Sequence, residues 1–153
     1  MSETWGEGGF TLLEIVAVLA IVAMLAAIAL PRIPRGTSRA ALESYALQAA
    51  ALLKSDRNAA VRSGTVVETR MNAEMRTISS GGTGRVVQLP NDVGFNAIFA
   101  DQCGGRPSSG SIEFLPSGMS CGGTIFLSRP GSGFEVRVTW LTGGVEVVPA
   151  SGL

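Results

Sequence analysis

A single carboxylate, Glu14, stands near the start of a long apolar run. Between Phe10 and Leu30 the only polar side chains are those of Thr11 and Glu14. As a helix this run would be roughly 31 Å long, close to the hydrocarbon thickness of a bilayer. A carboxylate in such a segment costs about 2.5–3.5 kcal/mol on insertion scales, so the sequence predicts that Glu14 has a cationic partner.

The residues in front of this run have the form of a peptidase site. Gly9 directly precedes Phe10, and Glu14 follows shortly afterwards. This arrangement resembles the type IV prepilin signal, in which the bond after the glycine is cut and the new N-terminus is methylated. The resemblance implies cleavage between Gly9 and Phe10, N-methylation of Phe10, and a subunit contact between Glu14 and a neighbour's N-terminal amine.

A secretory signal peptide and a plain membrane anchor are the alternatives. A signal peptide has a basic start and a small-residue cleavage site after its apolar core. Residues 1–9 instead contain Glu3 and Glu7 and neither Lys nor Arg. A plain anchor would not require Glu14. The prepilin interpretation therefore explains more of the segment than either alternative.

The rest of the chain offers no constellation for catalysis. It contains no His, which excludes Ser-His-Asp triads, Cys-His dyads and most zinc sites. Residues 118–122 match the G-x-S-x-G pattern of a nucleophile elbow, but a strand pattern follows where the elbow needs a helix. The Gly-rich stretch 81–84 likewise lacks the helix and Lys-Ser/Thr of a phosphate loop. The sequence predicts a protein that is not an enzyme, without cofactor or metal.

Cys103 and Cys121 are the two cysteines of the chain. In an exported domain the compartment is oxidising, and a disulfide is the default. It would close a loop of about 18 residues and contribute about 3 kcal/mol. Two buried thiols, or a metal site that falls short of four ligands without His, are the alternatives. The sequence favours the Cys103–Cys121 bridge.

Residues 40–63 are predicted to form an Ala-rich amphipathic helix. Pro31 and Pro34 favour a kink or local unwinding before it. Thr37 or Ser38 can cap its start, and Gly64 ends it. One face of this helix carries Leu42, Tyr45, Ala49, Leu52 and Leu53.

Short strand patterns follow Gly64. In residues 134–141 the apolar residues alternate with polar ones, which is typical of a half-buried antiparallel strand ending at Trp140 and Leu141. Residues 142–144, Thr-Gly-Gly, are predicted to turn tightly into the next strand. The predicted strands are 65–70, 85–89, 93–99, 111–115, 124–128, 134–141 and 145–148.

Three segments extend the resemblance to most of the chain. Residues 111–118 and 120–125 resemble the "FxPdGsssGGTi" segment of the GspH/FimT family, and residues 136–143 resemble its "RVxWLTGrV" ending. The chain looks most like an H-type minor pseudopilin of a type II secretion system. Cys121 stands where the family usually has a small polar residue, and residues 71–107 match nothing in it.

The resemblance implies a pilin-like α+β fold. Its long N-terminal helix would have a transmembrane half and an amphipathic half packed on a C-terminal antiparallel sheet. The implied organisation is a prepilin leader at 1–9, a transmembrane and polymerisation helix at 10–31, an amphipathic helix at 32–64 and a periplasmic β-rich domain at 65–153.

This organisation implies a single-pass inner-membrane protein with a cytoplasmic N-terminus and a periplasmic domain. Arg32, Arg35 and Arg39 follow the apolar run, and by the positive-inside rule they would favour the opposite orientation. The cleavage motif is the more specific signal, so the N-terminus is predicted to lie in the cytoplasm.

The resemblance implies a structural subunit of the pseudopilus tip. Its partners would be other minor and major pseudopilins, the prepilin peptidase, the inner-membrane secretion platform, and membrane lipid before assembly. The alternative is a FimT-like minor pilin of a type IV pilus, acting in pilus assembly or DNA uptake. Nucleic-acid binding needs clustered Lys or Arg, whereas the net charge is zero and residues 138–153 contain no basic residue. The sequence does not favour nucleic acid as a partner.

Overall fold

The structure, a computed structural model, describes residues 10–29, 36–108 and 110–150 of the 153-residue chain. The chain divides into two compact units, Met1–Arg35 and Gly36–Leu153. The first contains helix α1 (Leu12–Ala29). The predicted cleavage junction at Gly9, the kink at Pro31 and Pro34 and the continuity of the two helices involve residues outside the described ranges.

In the described residues of the second unit, helix α2 comes first and ten strands follow. α2 spans Arg39–Ser63, as the sequence predicts to within one residue. The strands are β1 (Val67–Asn72), β2 (Thr77–Ser80), β3 (Val86–Gln88), β4 (Gly94–Phe99), β5 (Gln102–Cys103), β6 (Arg106–Pro107), β7 (Ser111–Phe114), β8 (Gly123–Arg129), β9 (Ser132–Val138) and β10 (Val145–Pro149).

Both ends of α2 are capped as the sequence predicts. The Ser38 hydroxyl accepts a hydrogen bond from the Ala41 N–H at 3.1 Å, which satisfies a donor of the first turn. Gly64 adopts a left-handed φ of 65° and donates its N–H to the Ala60 carbonyl at 3.0 Å. A side chain at this φ would be strained, so glycine ends the helix here.

The strands form two four-stranded antiparallel sheets and a two-stranded ribbon. The first sheet has the order β3-β2-β1-β7, the second β10-β9-β8-β4, and β5 pairs with β6. α2 contacts strands of both larger sheets. Its buried face and the inner faces of the sheets form one core, which includes Leu42, Leu53, Ile78, Ile112, Phe114, Ile125, Leu127 and Val136. The α+β class is thereby confirmed.

The sequence prediction of the strands was wrong in two respects. It missed β2, β5 and β6, all of which lie within residues 71–107. It also extended β9 too far: the strand ends at Val138, and Trp140 is 62% exposed instead of facing the core. Residues 139–144 form a longer loop than the predicted Thr-Gly-Gly turn, since the Thr139 N–H bonds to the Gly144 carbonyl at 2.9 Å.

Candidate assembly site and its scaffold

α1 exposes apolar side chains around its whole circumference. Every described side chain from Phe10 to Ala27 is exposed, and Phe10 itself is 79% exposed. A helix that is apolar on all sides has no face suited to water, so it requires cover on all sides. Among the described residues, no helix has the length and apolar character needed to cross a membrane.

Glu14 lies in the first turn of α1. The Glu14 backbone N–H donates to two acceptors of Thr11, the carbonyl at 3.0 Å and the side-chain hydroxyl at 3.3 Å. The position favours a carboxylate, since the N-terminus of a helix carries a partial positive charge. The Glu14 side chain is exposed and forms no ion pair with any residue that the structure describes. Its contact with a neighbouring subunit stays a prediction.

Cys103 and Cys121 are joined by a disulfide, with their Cα atoms 5.4 Å apart. The bond ties the β5–β6 ribbon to the segment before β8. The Glu113 carboxylate lies within 4.8 Å of both sulfur atoms. Sulfur atoms bonded to each other are not thiolates, so this group does not offer the ligand set of a metal site.

Ser120 is the serine of the G-x-S-x-G match, and its hydroxyl forms hydrogen bonds with backbone groups. It is 5% exposed, and its hydroxyl donates to the Glu113 carbonyl at 2.9 Å. The same oxygen accepts the Gly122 N–H at 3.1 Å. The hydroxyl thus fixes the turn before β8, and a strand follows where a nucleophile elbow needs a helix.

A buried carboxylate, Asp56, joins α2 to the first sheet. Its side chain is fully buried and accepts the Thr69 hydroxyl at 2.6 Å, the Ser80 hydroxyl and the Gly82 N–H at 3.1 Å. Thr69 lies on β1, Ser80 on β2, and Gly82 in the following loop. One carboxylate therefore holds β1, β2 and the loop after β2 against the helix.

Sequence reasoning missed Asp56, although the spacing held a signal. Position 56 follows Leu52 by four residues, Leu53 by three, and precedes Ala60 by four, so it falls on the apolar face of α2. An acidic residue on a buried face needs hydrogen-bond donors, and Thr69 of β1 and Ser80 of the hydroxyl-rich β2 provide them. The Gly-rich loop 81–84 supplies the third donor.

Arg57 joins α2 to two loops. Its Nε donates to the Gly118 carbonyl at 2.9 Å and to the Thr142 carbonyl at 3.2 Å. Gly143 packs into this junction with φ 62°, and a Cβ there would lie 2.2 Å from the Gly118 oxygen. Both loops belong to the segments that resemble the GspH/FimT patterns. Those patterns therefore build the scaffold of the unit, and the sequence alone did not point to Arg57.

A third polar cluster fixes the start of the second unit. The Asp92 carboxylate accepts the Thr37 N–H and, at 2.9 Å, the Thr37 hydroxyl, while Arg129 donates to the Thr37 carbonyl. The hydrogen bond from the Thr37 backbone, then that from its hydroxyl, hold the pKa of Asp92 below its ordinary value, and the Arg129 charge adds to this.

The Asp92 cluster should stabilise the fold only at pH values where Asp92 is ionised. A carboxyl whose folded-state pKa is lowered stabilises the fold above its unfolded pKa of about 3.9, and this contribution is lost as the pH falls through the folded-state value. Asp92→Asn should therefore lower the urea midpoint by a constant amount above about pH 5, with the difference shrinking below about pH 4. A difference that does not change with pH would contradict the role of ionised Asp92.

Three solved structures share the fold of the chain. The minor pseudopilin EpsH from the type 2 secretion system of Vibrio cholerae matches with a TM-score of 0.50 and 13% identity, over 74% of this chain and 98% of EpsH. A second EpsH structure matches with a TM-score of 0.50 and 12% identity, over 76% of this chain and 96% of that chain. The chain has a pilin-like fold.

The type IV minor pilin FimU of Pseudomonas aeruginosa (strain PAO1) is equally similar. Its TM-score is 0.50 at 14% identity, over 70% of this chain and 92% of FimU. No family model matches the sequence, and no curated protein matches it. At these identities the likeness establishes the fold, which confirms the pilin-like architecture expected from the sequence.

Proposed function

We propose that this protein is a minor pseudopilin, a structural subunit of the pseudopilus tip in type II protein secretion. The observation that carries the proposal is a combination: a fold shared with EpsH on a chain whose N-terminus has the prepilin pattern from Gly9 to Glu14. A fold alone does not determine function. The two features together favour a subunit that is processed and then polymerised.

In this role the apolar N-terminal helix has two successive environments. The segment from Phe10 to Leu30 lies in inner-membrane lipid before assembly and packs among the helices of other pseudopilins afterwards. The exposed apolar circumference of α1 supports this proposal, because either environment covers it on all sides. The second unit then lies in the periplasm, and its Cys103–Cys121 disulfide fits an oxidising compartment.

Glu14 sets the register of assembly in this proposal. After cleavage, the methylated amine of Phe10 in a neighbouring subunit supplies the cation that Glu14 needs in an apolar surround. A desolvated ion pair is costly to break once formed, so a subunit out of register would leave a buried charge unpaired. The pair therefore selects one axial position. The partners are other minor and major pseudopilins, the prepilin peptidase and the inner-membrane secretion platform.

Glu14→Gln tests this function in cells. Cleavage and folding of the second unit should be normal, while co-purification of the subunit with other pseudopilins and secretion should both fall. Glu14→Asp should restore part of both, since it keeps the charge with a side chain one methylene shorter. If Glu14→Gln assembles and secretes like the parent, the ion-pair mechanism is wrong.

A FimT-like minor pilin of a type IV pilus is the second candidate. The likeness to FimU supports it as strongly, in TM-score and identity, as the likeness to EpsH supports the first. Deletion of the gene separates the two. Loss of secreted proteins with intact surface pili favours the pseudopilus, whereas loss of pili with intact secretion favours the pilus.

A further inference from the structure

A cationic pocket lies beside the C-terminal half of α2. It has a volume of about 300 Å³. The helix contributes two cations and an amide, the loop before β10 contributes backbone, and the first residue of β10 contributes an apolar side chain. The lining residues are Lys54, Arg57, Asn58, Gly143, Gly144 and Val145.

The pocket has positive charge without a matching carboxylate. The ion pairs of the described residues are Arg70–Glu68 and Arg137–Glu135, so neither Lys54 nor Arg57 takes part in one. Only the Nε of Arg57 is held, by two backbone carbonyls, and these fix the position of the guanidinium without neutralising it. The pocket therefore presents two cations, one of them rigidly placed.

Nearby acidic residues are directed elsewhere. Asp56, next to Arg57 in the chain, is fully buried and bonded to the first sheet. Glu146 follows Val145 on β10, but side chains alternate along a strand, and Glu146 pairs in register with Arg137 on the opposite face of the sheet. Among the described residues, the lining of this pocket therefore includes neither Asp nor Glu.

Exposed apolar side chains flank the same elements. Val61, one helical turn after Arg57 and Asn58, is 49% exposed, while Trp140 and Leu141 in the loop held by Arg57 are 62% and 55% exposed. Tryptophan and arginine are enriched among the residues that dominate protein–protein binding energy. A cation held in place near exposed aromatic and aliphatic side chains is typical of a protein–protein interface.

We propose that this pocket, lined by residues 54, 57, 58 and 143–145, binds an acidic side chain of a neighbouring pilin-like subunit of a different kind. The carboxylate lies between Lys54 and Arg57, and apolar residues beside it contact the loop of Trp140 and Leu141. The inference rests on the proposed function, and it assigns that function a lateral contact outside the N-terminal helix.

Charge and shape favour a protein over nucleic acid. Two cations in a pocket match one or two carboxylates, whereas a nucleic-acid backbone requires a row of cations. The net charge of the chain is zero, and it becomes only +2 (12 basic against 10 acidic residues) when residues 1–9 with Glu3 and Glu7 are removed, so long-range attraction to a polyanion is weak. Nucleic acid at this pocket is therefore an outcome that would overturn the proposal.

The test places a photoreactive residue in the pocket of the full-length chain. Asn58→p-benzoylphenylalanine, made in the native host and irradiated in intact cells, should crosslink to another pilin-like subunit, at a peptide containing Asp or Glu. Adding Lys54→Glu should lower the crosslink yield at least about tenfold, because a like charge then faces the partner carboxylate. Lys54→Arg should retain most of the yield.

Arg62→Glu is the matched control, since Arg62 is exposed on the same helix outside the pocket and the charge change is identical. It should leave the yield within about twofold. Cleavage after Gly9 and co-purification of the subunit with other pseudopilins are scored in the same cells. A filament that forms without a crosslink at position 58, or with a yield insensitive to Lys54→Glu, refutes the pocket but not the proposed function. Crosslinks to nucleic acid, or to a second copy of this chain alone, also refute it.

Discussion

Gly9→Val should leave the protein entirely in its full-length form in the membrane. The predicted cleavage before Phe10 would require a small residue at position 9, and a β-branched side chain would add bulk next to the scissile bond and restrict its backbone. Mass spectrometry of the membrane fraction should then find the N-terminus at residue 1 or 2, whereas the parent should begin at methylated Phe10.

The adjacent glycine provides the control for this substitution. Gly8→Val adds the same side chain one residue further from the junction, so the variant should be processed. Without cleavage the chain has no amine at Phe10, and the predicted contact of a neighbour's Glu14 is lost with it. A parent protein that assembles with its original N-terminus, in cells with active peptidase, would remove the basis of the prepilin interpretation.

Local signals were enough to predict α2. Ser38 and Gly64 act within a few residues of the helix ends, and the Ala-rich run between them has a strong helix propensity. The strands with alternating apolar residues were also predictable, because burial on one face of a sheet leaves a period of two in the sequence. These features are set by neighbours in the chain.

The errors fall where distant contacts decide the structure. β2 contains one buried aliphatic residue, Ile78, among hydroxyl residues, and its Ser80 is buried because it bonds to Asp56. β9 ends early because the next loop is held from elsewhere: the Trp140 carbonyl accepts the Ser120 N–H at 3.0 Å, and Arg57 bonds to Thr142. The sequence pattern of a single strand gives no information about hydrogen-bond partners that lie far away in the chain.

Among the candidate functional residues, too, some could be predicted from local sequence and others could not. Gly9, Phe10 and Glu14 were predicted from sequence because the prepilin signal that they resemble is a local pattern that needs no fold, and their roles stay predictions. Lys54 and Arg57 were not predicted, because the loop whose Gly143 and Gly144 line the proposed pocket with them, and whose Thr142 carbonyl accepts the Arg57 Nε–H, lies more than eighty residues away in the chain. In the sequence the two cations look like ordinary surface residues of an amphipathic helix.

Asp56→Ala should have the largest effect on the stability of the second unit. The substitution leaves the Thr69 and Ser80 hydroxyls and the Gly82 N–H without their acceptor in a buried environment. Hydrogen bonds to a charged group contribute about 1.5–3 kcal/mol each, and buried donors left unpaired add a desolvation cost. We expect the free energy of unfolding to fall by about 3–5 kcal/mol, since the losses are not fully additive.

Urea denaturation followed by far-UV circular dichroism measures this change. Glu43→Ala is the control, because Glu43 is an exposed acidic residue of the same helix, and its effect should stay within about 0.5 kcal/mol. Asp56→Asn keeps the shape and one acceptor oxygen, so it should fall between the two. A loss for Asp56→Ala no larger than that for Glu43→Ala would mean that water satisfies the three donors equally well, and that packing of the apolar residues alone holds α2 against the β1–β2 hairpin.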